Sequence, residues 1–147
     1  MAQEISFKKL DPQAIIPQFQ TKGAAGFDFH ALEAVELKAG EVTLVRTGLS
    51  VEVPEGFELQ VRARSGLSAK AGVFLVNGVG TIDSDYRGEI KIIMSTCLNK
   101  SLEIKPGDRI AQGVIAAVYQ PKIVEVSELT ETARGAGGFG STGVSRS

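Results

Sequence analysis

Thr81-Ile82-Asp83-Ser84-Asp85-Tyr86 places two carboxylates two residues apart beside a phenol. In an extended segment both carboxylates share a face, where each raises the other's proton affinity and one can act as a base toward water. A polar strand-to-turn transition is the plainer reading of the same six residues. Tyr86 adds an aromatic plate that suits the wall of a sugar or base site. Arg64-Ser65-Gly66 offers a guanidinium fork, a hydroxyl and an unhindered glycine amide, which are donors of the kind phosphate oxygens need; a solvated strand end with a Ser-Gly turn is the alternative. In Gly107-Asp108-Arg109-Ile110-Ala111-Gln112 the acid and base can pair weakly across a turn. Gln112 lies in an otherwise apolar stretch, so its amide must find partners. Asp28, in Gly26-Phe27-Asp28, is open both to turn capping and to metal contact.

The ribbon RGAGGFGSTG, Arg134 to Gly143, carries five glycines. Gly135, Gly137 and Gly140 fit G-x-G-x-x-G, and Gly135 to Thr142 fit a P-loop except that Ser141 stands where the lysine belongs. Either motif needs a strand before it and a helix after it, and here only Val144 to Ser147 follow. Taken alone the ribbon reads as a flexible tail.

The elements that must position these groups are strands. Phe57, Leu59, Val61 and Ala63 alternate with Glu58, Gln60, Arg62 and Arg64, and Val51-Glu52-Val53 approaches them through Pro54-Glu55-Gly56, predicting a hairpin. Leu102 to Lys105, the turn Pro106-Gly107-Asp108 and the run Ile110 to Tyr119 predict a second hairpin-like unit. Val35 to Leu37, Glu41 to Thr47, Val73 to Val76, Glu89 to Met94 and Ile123 to Val126 supply further short strands, and Ser127 to Ala133 is the one segment expected to hold a helical turn. Such spacing argues for an all-β sandwich, jelly roll or barrel, without repeats or linkers.

Composition sets the outer limits. A chain of 147 residues forms one domain of ordinary size. A net charge of −1 with 22% charged residues gives no sign of a nucleic-acid or membrane partner. Cys97 is the only cysteine, expected to be a small buried hydrophobe in a reducing compartment, and with His30 as the only histidine a zinc site is improbable. The opening MAQEISFKK has no apolar run of the signal-peptide kind, so the protein is expected in the cytoplasm.

Taken in order, AAGFDFHA (24–31), RSGLSAKAG (64–72), NGVGTIDSDYRGEI (77–90), GDRIAQ (107–112) and RGAGGFGSTG resemble the five motifs of the trimeric dUTPase family over nearly the whole chain. The resemblance implies a jelly roll at residues 1–132, a flexible glycine-rich lid arm at 133–147, and a homotrimer with active sites shared between subunits. It implies a dUTP diphosphatase that releases dUMP and pyrophosphate, supplying dUMP for dTMP synthesis and keeping uracil out of DNA. Asp83 looks like the general base and Gln112 a partner of the water or α-phosphate. Mg²⁺ would sit on the triphosphate and reach Asp28 through water.

By the same resemblance Arg64, Ser65 and Gly66 grip phosphates from a neighbouring subunit. Uracil lies against a hairpin from Asn77 to Lys91, contacted by Asn77 and by backbone groups near Thr81, Ile82 and Lys91. Tyr86 excludes a ribose 2′-hydroxyl. Phe139 of the arm stacks on uracil while Arg134, Gly140, Ser141 and Thr142 donate to phosphates. Phe27, Phe29 and Ala63 depart from the family's usual Tyr, Leu and Pro without removing a reactive group. A dCTP deaminase of the same fold would need a different local motif, and a nucleotide sensor without turnover would be expected to have lost Asp83, Arg64 or the last motif.

Overall fold

The structure is a computed structural model that describes residues 3–145. The last two residues of the expected arm, 146 and 147, lie outside the described residues. Eleven strands and one short helix follow one another: β1 (Ser6–Lys9), β2 (Phe27–His30), β3 (Val35–Leu37), β4 (Thr43–Arg46), β5 (Leu49–Glu52), β6 (Phe57–Arg62), α1 (Ser65–Ala71), β7 (Val73–Leu75), β8 (Gly80–Ile82), β9 (Lys91–Thr96), β10 (Leu102–Ile104) and β11 (Arg109–Ala117). All strand pairs are antiparallel. They form a four-stranded sheet in the order β2-β11-β6-β8, a three-stranded sheet β4-β9-β7, and two short pairs, β1-β5 and β3-β10. This mostly-β architecture agrees with the expected jelly roll.

Alternation builds the core. Phe27 and Phe29 point inward from β2 while Asp28 and His30 do not, and Leu59 and Val61 do the same on β6. Buried residues from all four sheets, among them Leu37, Val45, Leu49, Ile92, Met94 and Ile104, join one cluster. Phe7, Phe19 and Phe29 each meet the Phe27 ring edge-on, at centroid distances of 5.8, 5.4 and 5.6 Å. Each fully buried side chain of this size contributes about 1.5–3 kcal/mol of burial energy.

Several expectations about pairing fail. β5 and β6 are not a hairpin: β5 pairs with β1, and β6 lies between β11 and β8. β10 pairs with β3 rather than β11, and β8 and β9 belong to different sheets, so Asn77 to Lys91 is not a paired hairpin either. Alternation identifies a strand but leaves its partner open, and here the turns at Pro54–Gly56 and Pro106–Asp108 carry the chain from one sheet to another.

The helix is also in a different place. α1 starts directly after Arg64 and ends at Gly72, whose left-handed backbone (φ 61°) lets its N–H reach the carbonyls of Leu67 and Ser68. Ser127 to Ala133 forms no helix and Ile123 to Val126 no strand; beyond Ala117 the described chain is nearly all exposed. The Val118 N–H still donates to the Gly56 carbonyl at 2.8 Å. Cys97 is exposed rather than buried.

Candidate active site

A cleft of about 390 Å³ opens between β8, β9 and the loop joining them. Asn77, Thr81, Ile82, Asp83, Tyr86 and Lys91 all line it, together with apolar side chains of Val61, Leu75, Ile92 and Ile93. β8 reaches this position because Gly80 lies close over β6: a Cβ there would come within 3.1 Å of the Val61 Cβ. β8 stops at Ile82, and Asp83 to Tyr86 turn back, with the Tyr86 N–H donating to the Asp83 carbonyl at 3.2 Å. Asp83 and Asp85 therefore do not lie on one extended strand. The Tyr86 hydroxyl donates to the Glu89 carbonyl at 2.9 Å. Asp83 also borders an outer depression with Glu55, Glu58 and Asp85, so this end of the sheet is acidic.

A second cluster gathers Asp28, Arg64, Arg109 and Gln112. The Asp28 carboxylate is 16% exposed and faces Arg64 Nε at 3.2 Å and Arg109 Nε at 3.9 Å. Arg64 also donates to the Arg109 carbonyl at 3.2 Å. Gln112 stands opposite Asp28 on β11 and donates from Nε2 to the Ala63 carbonyl at 3.0 Å, which fixes the chain where it enters α1. That bond answers the requirement for a partner raised by its apolar surroundings. Gly26 leaves room for the amide, since a Cβ there would fall 2.8 Å from Gln112 Oε1. Two guanidiniums about one carboxylate leave the cluster with a net positive charge suited to an anion.

Arg109 is the residue that sequence reasoning missed. Period-two alternation puts Ile110, not Arg109, on the face of Gln112. A bulge between Arg109 and Ala111 shifts the register by one, so Ile110 turns into the core and Arg109 joins Gln112 beside Asp28. Asp108 does not pair with it; its carboxylate accepts from the Lys105 N–H at 2.9 Å and closes the turn. Ser65 and Gly66 open α1 and are exposed.

The two clusters are far apart in one chain. Ile82 stands opposite Leu59 on one flank of β6, and Gln112 stands opposite Arg62 on the other. At ~3.4 Å per residue and ~4.8 Å between strands, Asp83 lies roughly 17 Å from Gln112 and roughly 20 Å from Arg64, Cα to Cα. The ribbon is separate again. Arg134, Phe139, Gly140, Ser141 and Thr142 border one shallow hollow among themselves, and Arg134 Nε donates to the Gly137 carbonyl at 2.7 Å. Phe139 is fully exposed at φ 52°, a left-handed conformation that a bulky residue rarely adopts.

Residues 12–143 match the dUTPase family model. The chain belongs to the dUTPase family. The resemblance carried by the five motifs is thereby shown, and with it the enzyme class, dUTP diphosphatase. The deoxyuridine 5′-triphosphate nucleotidohydrolase of Nautilia profundicola is 55% identical over 140 residues, covering 95% of this chain and 99% of that protein. The enzyme of the same name from Helicobacter pylori strain J99 is 49% identical over 143 residues, covering 97% and 99%. Among solved structures, the dUTPase of Staphylococcus bacteriophage 80alpha with dUpNHpp superposes with a TM-score of 0.90 at 29% identity, over 97% of this chain and 100% of that one. No helix among the described residues of this dUTPase-family chain is long and apolar enough to cross a membrane.

Proposed function

We propose that the chain hydrolyses dUTP to dUMP and pyrophosphate in the cytoplasm, supplying dUMP for dTMP synthesis and keeping uracil out of DNA. The observation that carries this reading is the gathering of Asn77, Thr81, Ile82, Asp83, Tyr86 and Lys91 around one cleft. Uracil lies among the apolar lining, its edge met by Asn77 and by backbone groups near Thr81, Ile82 and Lys91. Cytosine reverses the donor and acceptor at that edge and leaves groups unpaired, and thymine brings a methyl group the site excludes. Tyr86 closes the space of a ribose 2′-hydroxyl. Asp83 accepts the proton of a water as it attacks the α-phosphorus in line.

Arg64, Ser65, Gly66 and Gln112 hold the phosphates and the attacking water, but a base reaches its proton only through about one hydrogen bond or one water. The separation along β6 therefore supports a site assembled from two chains, the acidic Asp83 end of one meeting the basic Arg64 end of another. The outer face of the three-stranded sheet supports association as well: Leu44, Phe74 and Val76 are exposed there while Val45, Leu75 and Met94 on the opposite face are buried. The proposed assembly is a homotrimer. In it residues 133–147 act as a lid over residues 1–132 of other subunits, with Phe139 stacking on uracil and Arg134, Gly140, Ser141 and Thr142 donating to phosphates. Phe139, held in solvent between two glycines, is suited to that part.

The proposed cofactor is Mg²⁺. Among the described residues no three His, Cys, Asp or Glu side chains form a metal-holding group, and the Asp28 oxygens face two arginines. A carboxylate still has lone pairs left for water in that setting, so the donor set fits a cation carried by the triphosphate and reaching Asp28 through water. When bound, the ion neutralises phosphate charge that would repel the incoming oxygen. The test is incubation with Mg²⁺ and either dUTP or dCTP, following pyrophosphate and the base. Pyrophosphate from dUTP alone is expected; ammonia from dCTP would replace the reading with deamination, and no product from either would leave a sensor.

A further inference from the structure

The loop that carries Tyr86 is anchored by a residue pair with no part in the chemistry above. Glu89 is the last polar residue before β9, and its side chain is only 14% exposed. Its carboxylate accepts from Arg46 Nε at 3.0 and 3.3 Å, from Arg46 Nη2 at 3.1 Å and from the Gly48 N–H at 3.3 Å. These charge-assisted bonds raise the proton affinity of the Arg46 guanidinium, the hydrogen bonds to Glu89 acting first and its charge second. The next residue is stitched to the same turn through its backbone: Thr47 Oγ1 donates to the Ile90 carbonyl at 2.6 Å, and the Ile90 N–H donates to the Leu49 carbonyl at 2.8 Å. The Glu89 carbonyl is the acceptor that holds the Tyr86 phenol, and the Tyr86 ring covers Gly88, where a side chain would collide with it. Glu89 thus connects the β4–β5 turn to the wall of the cleft, with its carboxylate on one side and its carbonyl on the other.

We propose that Arg46 and Glu89 are positioning residues that set the discrimination between deoxyribose and ribose by fixing where the Tyr86 wall stands. This rests on the reading of Tyr86 as the group that excludes the 2′-hydroxyl. Among the described residues the loop has one other side-chain tie to a strand, Arg87 to Glu52 at 3.1 Å, and both partners of that pair are more than half exposed; such a pair holds little by itself. Without the Arg46 fork, Glu89 keeps one backbone donor for a mostly buried carboxylate, the Tyr86 acceptor shifts with it, and the wall opens toward the sugar.

The experiment compares kcat/KM for dUTP and UTP in the parent protein and in Arg46→Gln, Arg46→Lys and Tyr86→Phe. Arg46→Gln is expected to lower the dUTP-to-UTP ratio about tenfold, the worth of roughly one well-made hydrogen bond, while kcat for dUTP stays within about twofold. Arg46→Lys restores part of the ratio, because an ammonium replaces the charge and not the fork. Tyr86→Phe removes only the phenol's bond to Glu89, with no unpaired charge to threaten folding. It is expected to lower the ratio similarly, and the double variant to lose less than the sum of the two. A parent that hydrolyses dUTP and UTP equally sinks the Tyr86 reading and this one with it. A parent that discriminates, with an Arg46→Gln protein that discriminates equally well or effects that simply add in the double variant, overturns the positioning role alone.

Discussion

If the base and the phosphate donors of one site come from different chains, two inactive variants should repair each other. Asp83→Asn removes the base from its own cleft and leaves Arg64 intact; Arg64→Ala removes the phosphate fork and leaves Asp83 intact. The roughly 20 Å along β6 that separates these residues argues that they serve different sites of one assembly. Alone, Asp83→Asn is expected to lose about 10²–10⁴-fold in turnover and still bind dUTP, since a general base acts in the transition state. Arg64→Ala leaves Asp28 facing Arg109 at 3.9 Å and should fold. Denaturing the two variants together in equal amounts and refolding them distributes chains at random. A site that takes its base from one chain and its fork from the next receives both wild-type groups in about a quarter of cases in a closed ring of identical interfaces. The mixture should recover about a quarter of parental turnover, read as pyrophosphate release, whereas separately refolded proteins combined afterwards should not. A co-refolded mixture no more active than the better variant alone would refute the argument from β6.

Deleting residues 134–147 should leave a folded protein that binds dUTP and turns it over poorly; full activity in the truncated protein would reduce the ribbon to a frayed end. Gly26→Ala places a methyl group 2.8 Å from Gln112 Oε1 and 3.1 Å from the Gly113 carbonyl, so the amide has to shift from its place beside the Ala63 carbonyl; kcat should fall about tenfold with the circular dichroism spectrum unchanged, and an unaffected kcat would mean that turnover does not depend on where this amide stands. Leu59→Ala empties a fully buried position at the centre of the four-stranded sheet and should lower the melting temperature by about 10 °C; a shift within about 2 °C would mean the core closes over the gap.

The sequence by itself located most of the strands and the order of the motifs, though it also expected a strand at Ile123 to Val126 that does not form. Alternation in Phe57 to Arg62 is a local consequence of one buried face and holds wherever that strand is placed, whereas Phe27 to His30, read only as a glycine-rich turn around Asp28, is strand β2. Motif order likewise identified the family, because backbone turns and donors for phosphate impose residue types at fixed local spacing. Three things were not local, and only the tertiary structure decided them. Strand partners were one: the same pattern in Val51 to Val53 is satisfied by β1 as well as by β6, and the turn at Gly56 sent the chain to another sheet. The place of α1 was another, since Arg64-Ser65-Gly66 read as a strand end and Ser-Gly turn, whereas Ser65–Ala71 is a helix closed by the left-handed Gly72. The third was the membership of the basic cluster. A one-residue bulge in β11 reverses the side on which Arg109 stands, and the distance between Asp83 and Gln112 depends on β8 and β11 flanking β6 with opposite offsets. Register and separation are properties of pairs of strands, and a single segment contains only one member of each pair.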